Sequence, residues 1–136
     1  MTRLTTTALP LVLAAGFAFF GVQKFGAENL VFEIIAERSG LPIFEPYVRM
    51  ATGIAELATA ALLAIPRTRF VGTIAGLAVL LGAILFHLSP WLGIVVPGIG
   101  VGLFLTAVAM TALTSAYAVL QLRARKPETA LVPLFV

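Results

Sequence analysis

The sequence predicts an all-α fold, a polytopic membrane four-helix bundle with a short amphipathic helix in its first outer loop. Composition is the first reason. Of 136 residues, 60% are hydrophobic and 11% charged, where a soluble domain carries about a quarter charged residues. So few charges would leave large apolar patches facing water, and lipid removes that difficulty. The second reason is four apolar runs separated by polar or proline-bearing breaks, each near the roughly 20 residues needed to cross a hydrocarbon core about 30 Å thick. The third is the placement of lysine and arginine, which gather at the ends of the runs in a pattern that sorts them by side. The length suits one domain, residues 1–125, with a loose cytoplasmic tail at 126–136.

The first span is expected at about 4–24, built on LPLVLAAGFAFFGV. A cleaved signal peptide is the rival reading. The apolar run, however, continues through Phe19 and Phe20 to Gly21 and lacks a clear small-x-small cleavage site. The first outer loop, 25–45, places Leu30, Val31, Ile34 and Ile35 at helical spacing, with Glu28, Glu33, Glu37 and Arg38 at other positions. Gly40 followed by Leu41-Pro42 is a helix stop. A short amphipathic helix is expected there, lying on the outer membrane surface and serving as a lid over the bundle. The second span is expected at 47–65, stopped by Pro66, and the third at 70–88. The fourth is expected at 97–121, with Pro97 as its first helical residue.

Six basic residues, Arg3, Arg67, Arg69, Arg123, Arg125 and Lys126, fall on one side of these spans. The other side holds Lys24, Arg38 and Arg49, offset by Glu28, Glu33, Glu37 and Glu45. The positive-inside rule then puts both termini in the cytoplasm. Tyr47 and Trp91 fall at the outer interface and Tyr117 near the inner one, as aromatic belts do. The net charge of +3 is explained by this topology, and no nucleic-acid partner is expected. The chain has no cysteine, which excludes disulfides and dithiol redox chemistry. With His87 as the single histidine and no aspartate, one protomer cannot build a bis-His haem or a zinc site. No metal, catalytic constellation or intrinsic cofactor is expected.

Close helix contact in lipid relies on small residues. Gly72-x-x-x-Gly76 with Ala83, the series Ala51, Ala55 and Thr59, and the glycines at 98, 100 and 102 are all read as packing devices. Ionisable groups inside a span are costly and by default mark function. Glu56 lies nine residues past Tyr47, roughly 14 Å down at about 1.5 Å per residue, near the midplane. Arg49, Gly53, Glu56 and Ala60 share one helical face, and Gly53 opens a groove for a neighbouring side chain. Lys24 ends the first span and His87 the third. Lys24, Arg49, Glu56 and His87 are therefore the candidate ligand-binding residues, with Gln23 and Glu28 close enough to join them. They come from three helices and all lie in the outer half, which implies a polar pocket opening outward. Their plainer roles are snorkelling at the interface for Lys24 and Arg49, a satisfied interfacial histidine, and a structural ion pair for Glu56.

These residues resemble the DoxX-like family. The likeness lies in Gly21-Val-Gln-Lys24-Phe25, Ser39-Gly40-Leu41-Pro42, Gly53-Ile-Ala-Glu56-Leu57, Arg67-Thr-Arg69 and Leu85-Phe86-His87. It covers about 9–87 and extends loosely through the fourth span, and the order of these short motifs carries it. The resemblance implies a small four-helix protein of the bacterial cytoplasmic (inner) membrane. It implies, from some relatives, either a subunit of a membrane oxidoreductase that passes electrons from sulfur compounds to quinone or a protein that works with oxidative-stress enzymes. A non-catalytic subunit or binding module of a membrane redox system is therefore expected. The expected partners are membrane lipids and a membrane or extracytoplasmic redox protein, and a homo-oligomer is allowed. A quinone- or lipid-like molecule is the expected occupant of the pocket. The competing expectation is an assembly protein whose polar residues only lock helix packing.

Overall fold

A computed structural model of the chain describes residues 2–125, so the expected tail at 126–136 lies outside the described residues. The described chain is helical, with four helices long and apolar enough to cross a membrane. Helix α1 (Leu9–Gln23) is entered through a π-helical turn, Leu4–Ala8. It is followed by α2 (Leu30–Ser39), a 3₁₀ turn at Pro42–Phe44, α3 (Tyr47–Ala64), α4 (Arg69–Leu88) and α5 (Gly102–Arg125). Helix α1 is apolar on every face, the mark of a helix solvated by protein on one side and lipid on the other. Val12, Phe19, Ile54, Val71, Leu81, Leu85 and Leu105 are all exposed on the bundle exterior. Such a belt has no place in water and defines the lipid-facing surface. This is a multi-pass membrane protein with an all-α bundle.

The helices are neighbours in the order α1, α3, α4, α5, while α1 and α5 touch only sparingly. Two backbone details at the arginine-bearing end follow from the sequence. Pro10 has no N–H, so the Thr6 carbonyl lacks its helical donor; the guanidinium of Arg69 donates to that carbonyl instead. Arg69 Nε also donates to the Leu63 carbonyl at 3.1 Å, satisfying one of the orphan acceptors that end α3. Above this, Leu13, Ala14, Phe17, Ala60, Leu63, Leu80 and Tyr117 form the main core. Gly72 and Gly76 set the α3–α4 contact: a Cβ on Gly72 would meet Leu63 N at 2.9 Å, and one on Gly76 would meet Phe17 at 2.8 Å and Thr59 at 3.3 Å.

The opposite end holds α2. Asn29 caps it, accepting from Phe32 N at 3.4 Å, and Gly40 ends it with φ 70°, the left-handed conformation that glycine adopts freely. Its apolar face differs from the expected one: Leu30 is 45% exposed and Phe32 is buried. Leu30 is the first helical residue, at the edge of the lid, whereas Ile34 and Ile35 pack on Leu92 and Val96 of the α4–α5 loop. Arg38 ties α2 down by donating to the carbonyls of Trp91 and Leu92, both at 3.4 Å. The lid expected from sequence is present, and its apolar face is buried against protein.

The fourth span begins at Gly102, five residues after the expected Pro97, and runs to Arg125. Pro97 and Gly98 are the central pair of a tight turn, closed by Ile99 N to Val96 O at 3.0 Å with Gly98 at φ 79°. That is the geometry of a type II turn, which favours proline and then glycine at these places. Gly100, at φ 88°, pairs back with Val96. Glycines 98 and 100 therefore serve the turn and are not helix-packing residues.

Candidate functional site

Lys24 sits at the end of α1, where Gly53 of α3 lets the two backbones close: a Cβ there would meet Lys24 Cβ at 2.7 Å. From this point the lysine reaches down its own helix and donates to the Phe20 carbonyl at 3.2 Å. It also donates to Glu56 Oε1 at 3.4 Å, with Oε2 at 3.2 Å but off the hydrogen-bond direction. Both side chains are largely enclosed, 13% and 10% exposed. The pair is thus satisfied in charge but not in hydrogen bonding. Glu56 Oε2 is buried without a hydrogen-bond partner among the described residues, and the ammonium has three donors of which two are used.

The contacts of Gly72 with Leu62 and Leu63, and of Gly76 with Thr59, set the antiparallel register of α3 and α4. That register puts His87 abreast of Val48, about two turns or roughly 12 Å along the axis from Glu56. Each Cβ leans toward its own helix N-terminus, which in antiparallel helices carries Glu56 and His87 toward one another. His87 is buried, with Nδ1 2.9 Å from the Gly93 carbonyl and its ring edge-on to Phe104 at 5.7 Å. A carbonyl can only accept, so Nδ1 carries the proton. Nε2 is the ring nitrogen left open by this contact, and with Nδ1 protonated it is the acceptor of the uncharged tautomer.

Lys24, Glu56 and His87 line one cavity of about 910 Å³, with Gln23 and Glu28 at its rim. Most of the remaining lining is apolar, including Phe20, Val79, Leu80, Phe86, Leu103 and Met110. The threonines there, Thr52 and Thr106, donate to the carbonyls of Val48 and Gly102 in their own helices. An apolar chamber of this size with a few convergent polar groups is the usual form of a small-molecule site. Ala51, Ala55 and Ala83 also line it, so these three, expected as packing residues, leave space instead of closing a helix contact. The reason is that α5 stands off from α1 on this side, giving the small faces no partner to meet.

Arg49 is the candidate that the structure places elsewhere. It is buried but does not line the cavity. Its guanidinium grips Glu45 through Nε at 2.8 Å to both carboxylate oxygens. It also donates to the carbonyls of Lys24 and Gly26, the latter at 2.9 Å. Arg49 therefore caps the C-terminus of α1 and locks it to α3. The i,i+4 spacing of Glu45 and Arg49 is readable as a pair, but the carbonyl partners come from the segment just past the end of α1. Also unforeseen were the Gly93 and Phe104 partners of His87.

Among the described residues no group of three or more His, Cys, Asp or Glu side chains is placed to hold a metal ion. Comparison with protein-family models, with curated proteins and with solved structures finds no match. The chemistry of the site is therefore argued from its own groups: an ammonium donor, a carboxylate acceptor and an imidazole acceptor around an apolar chamber.

Proposed function

We propose that this protein is a DoxX-like binding module, a non-catalytic subunit of a membrane redox system, which holds a quinone- or lipid-like molecule in the cavity beneath α2. The observation that carries this reading is the cavity of about 910 Å³ whose polar wall is Lys24, Glu56 and His87. The apolar wall suits a prenyl or acyl chain entering from lipid, and the spare donor on Lys24 suits a carbonyl oxygen of the head. The unpartnered Glu56 Oε2 and the Nε2 of His87 suit its hydroxyl form. A partner protein supplies the electrons. In this reading the arginine end faces the cytoplasm of a bacterial inner membrane, as the excess of positive charge there requires.

The test is titration of a short-chain quinone analogue into the protein in nanodiscs. Glu56→Gln and His87→Ala are each expected to weaken binding at least tenfold while the protein stays folded. Unchanged affinity in both variants removes this site. The assembly-protein reading has one observation in its favour, the Lys24–Glu56 ion pair inside the bundle. It predicts that the analogue fails to bind the wild-type protein at all.

A further inference from the structure

At the other end of the bundle a smaller cavity of about 250 Å³ opens between the π-helical turn that precedes α1, the α3–α4 turn and the end of α5. Three arginines, Arg67, Arg69 and Arg125, line it together with Tyr117 and Gln121. Topology alone needs positive charge on this side of the membrane; it does not need three guanidinium groups around one cavity, where they repel each other. The acidic residues among the described ones, Glu28, Glu33, Glu37, Glu45 and Glu56, all lie toward the opposite end. The cavity is a concentration of positive charge with no described counter-ion.

Two of the arginines are held in place. Arg69 is fixed by the carbonyls of Leu63 and Thr6, which belong to two different elements. Arg125 lies over the Phe70 ring at 3.9 Å, and a guanidinium stacked in this way keeps its in-plane N–H donors free for an anion. Arg67 is exposed and has no hydrogen bond or ion pair among the described residues. Planar forks of this kind suit phosphate oxygens. Beside them, Gln121 Oε1 is buried without a hydrogen-bond partner, an acceptor that asks for a hydroxyl. The volume is below the roughly 300–1,000 Å³ of drug-sized sites and suits a headgroup, not a whole cofactor. The cavity also lies at the helix ends, where lipid headgroups sit.

We propose that this cavity is a binding site for a phosphate ester with a hydroxylated headgroup, supplied by an anionic phospholipid of the leaflet at the arginine end. The phosphate lies between Arg67, Arg69 and Arg125, and a headgroup hydroxyl donates to Gln121 Oε1. This site is independent of the cavity beneath α2.

The experiment is native mass spectrometry of the full chain, delipidated in detergent and offered phosphatidylglycerol, phosphatidylserine and phosphatidylcholine at equal concentration. Phosphatidylglycerol is expected to be retained about tenfold over phosphatidylcholine. Arg67→Gln with Arg125→Gln, both at exposed positions, is expected to remove that excess; Arg69 is left alone because it ties two elements together. Gln121→Leu is expected to lower, without abolishing, the excess of phosphatidylglycerol over phosphatidylcholine, whose headgroup has no donor for the amide oxygen. Equal retention of all three lipids by the wild-type protein, or an undiminished excess in the double variant, overturns the site. The full chain includes Glu128; if that residue occupies the arginines, no lipid excess appears and the proposal falls. Soluble glycerol 3-phosphate is the competing arm. If it displaces the lipid at equal concentration, the lipid is overturned as the source.

Discussion

A Cβ placed on Gly76 would meet Phe17 at 2.8 Å, whereas one placed on Gly82, further along the same helix, would meet nothing within 4 Å. The two glycines mark the two halves of the bundle. In the arginine-bearing half, glycine brings helices together, and the core of Leu13, Phe17, Leu63 and Tyr117 fills the space between them. In the half beneath α2, Ala51, Ala55, Gly82 and Ala83 line a cavity. Small residues are a packing device only where a neighbouring helix comes to meet them. Where α5 stands off from α1, the same residue types line a cavity. The buried polar groups do not divide in this way. Arg69 at one end and Arg49 at the other are both committed to backbone carbonyls, and Gln121 Oε1 and Glu56 Oε2 each lack a hydrogen-bond partner among the described residues.

The largest effect should come from breaking the ion pair that borders the hollow half. Glu56→Ala leaves the Lys24 ammonium enclosed without its partner, a change of about 3–5 kcal/mol for a buried pair, and should lower the melting temperature in detergent sharply. Lys24→Met combined with Glu56→Leu should recover most of that loss, because both charges are gone. A double variant as unstable as the single one would show that the pair is not what holds this region. Next come the two glycines. Gly76→Leu overpacks the α1–α3–α4 contact and should destabilise by about 1–3 kcal/mol. Gly82→Leu should be neutral or stabilise by up to about 1 kcal/mol through helix propensity. Equal losses at both sites would erase the distinction between the halves. The smallest loss is expected at His87→Gln, which removes one hydrogen bond to the Gly93 carbonyl, about 1 kcal/mol, measured by thermal unfolding.

The span count and three of the four span positions were legible because each rests on a local property, the length of an apolar run. The start of the fourth is not legible in this way, because Pro97 suits the first turn of a helix while Pro97-Gly98 is equally a turn signal. The lid was legible from the spacing of Val31, Ile34 and Ile35. Its exact face was not, since what it packs on, Leu92 and Val96, lies some 60 residues away in the chain. The site follows the same rule. That Lys24, Glu56 and His87 stand out is legible from the cost of placing such groups in a span, and the structure brings the three to one cavity. The diversion of Arg49 to Glu45 and the carbonyls ending α1 depended on helix register, which a single sequence does not give. The same holds for the cavity: side-chain size was visible, but the gap between α1 and α5 was not.

The central claim is that the half beneath α2 is a chamber built to be occupied, and blocking it is the most direct test. Gly82→Phe adds a ring at a cavity-lining position whose Cβ would meet nothing within 4 Å, and it leaves Lys24, Glu56 and His87 unaltered. Titrating a quinone analogue into wild-type and Gly82→Phe protein in the same nanodiscs should show affinity reduced at least tenfold in the variant, with its melting temperature unchanged or raised. Equal affinity in the two proteins would contradict the claim.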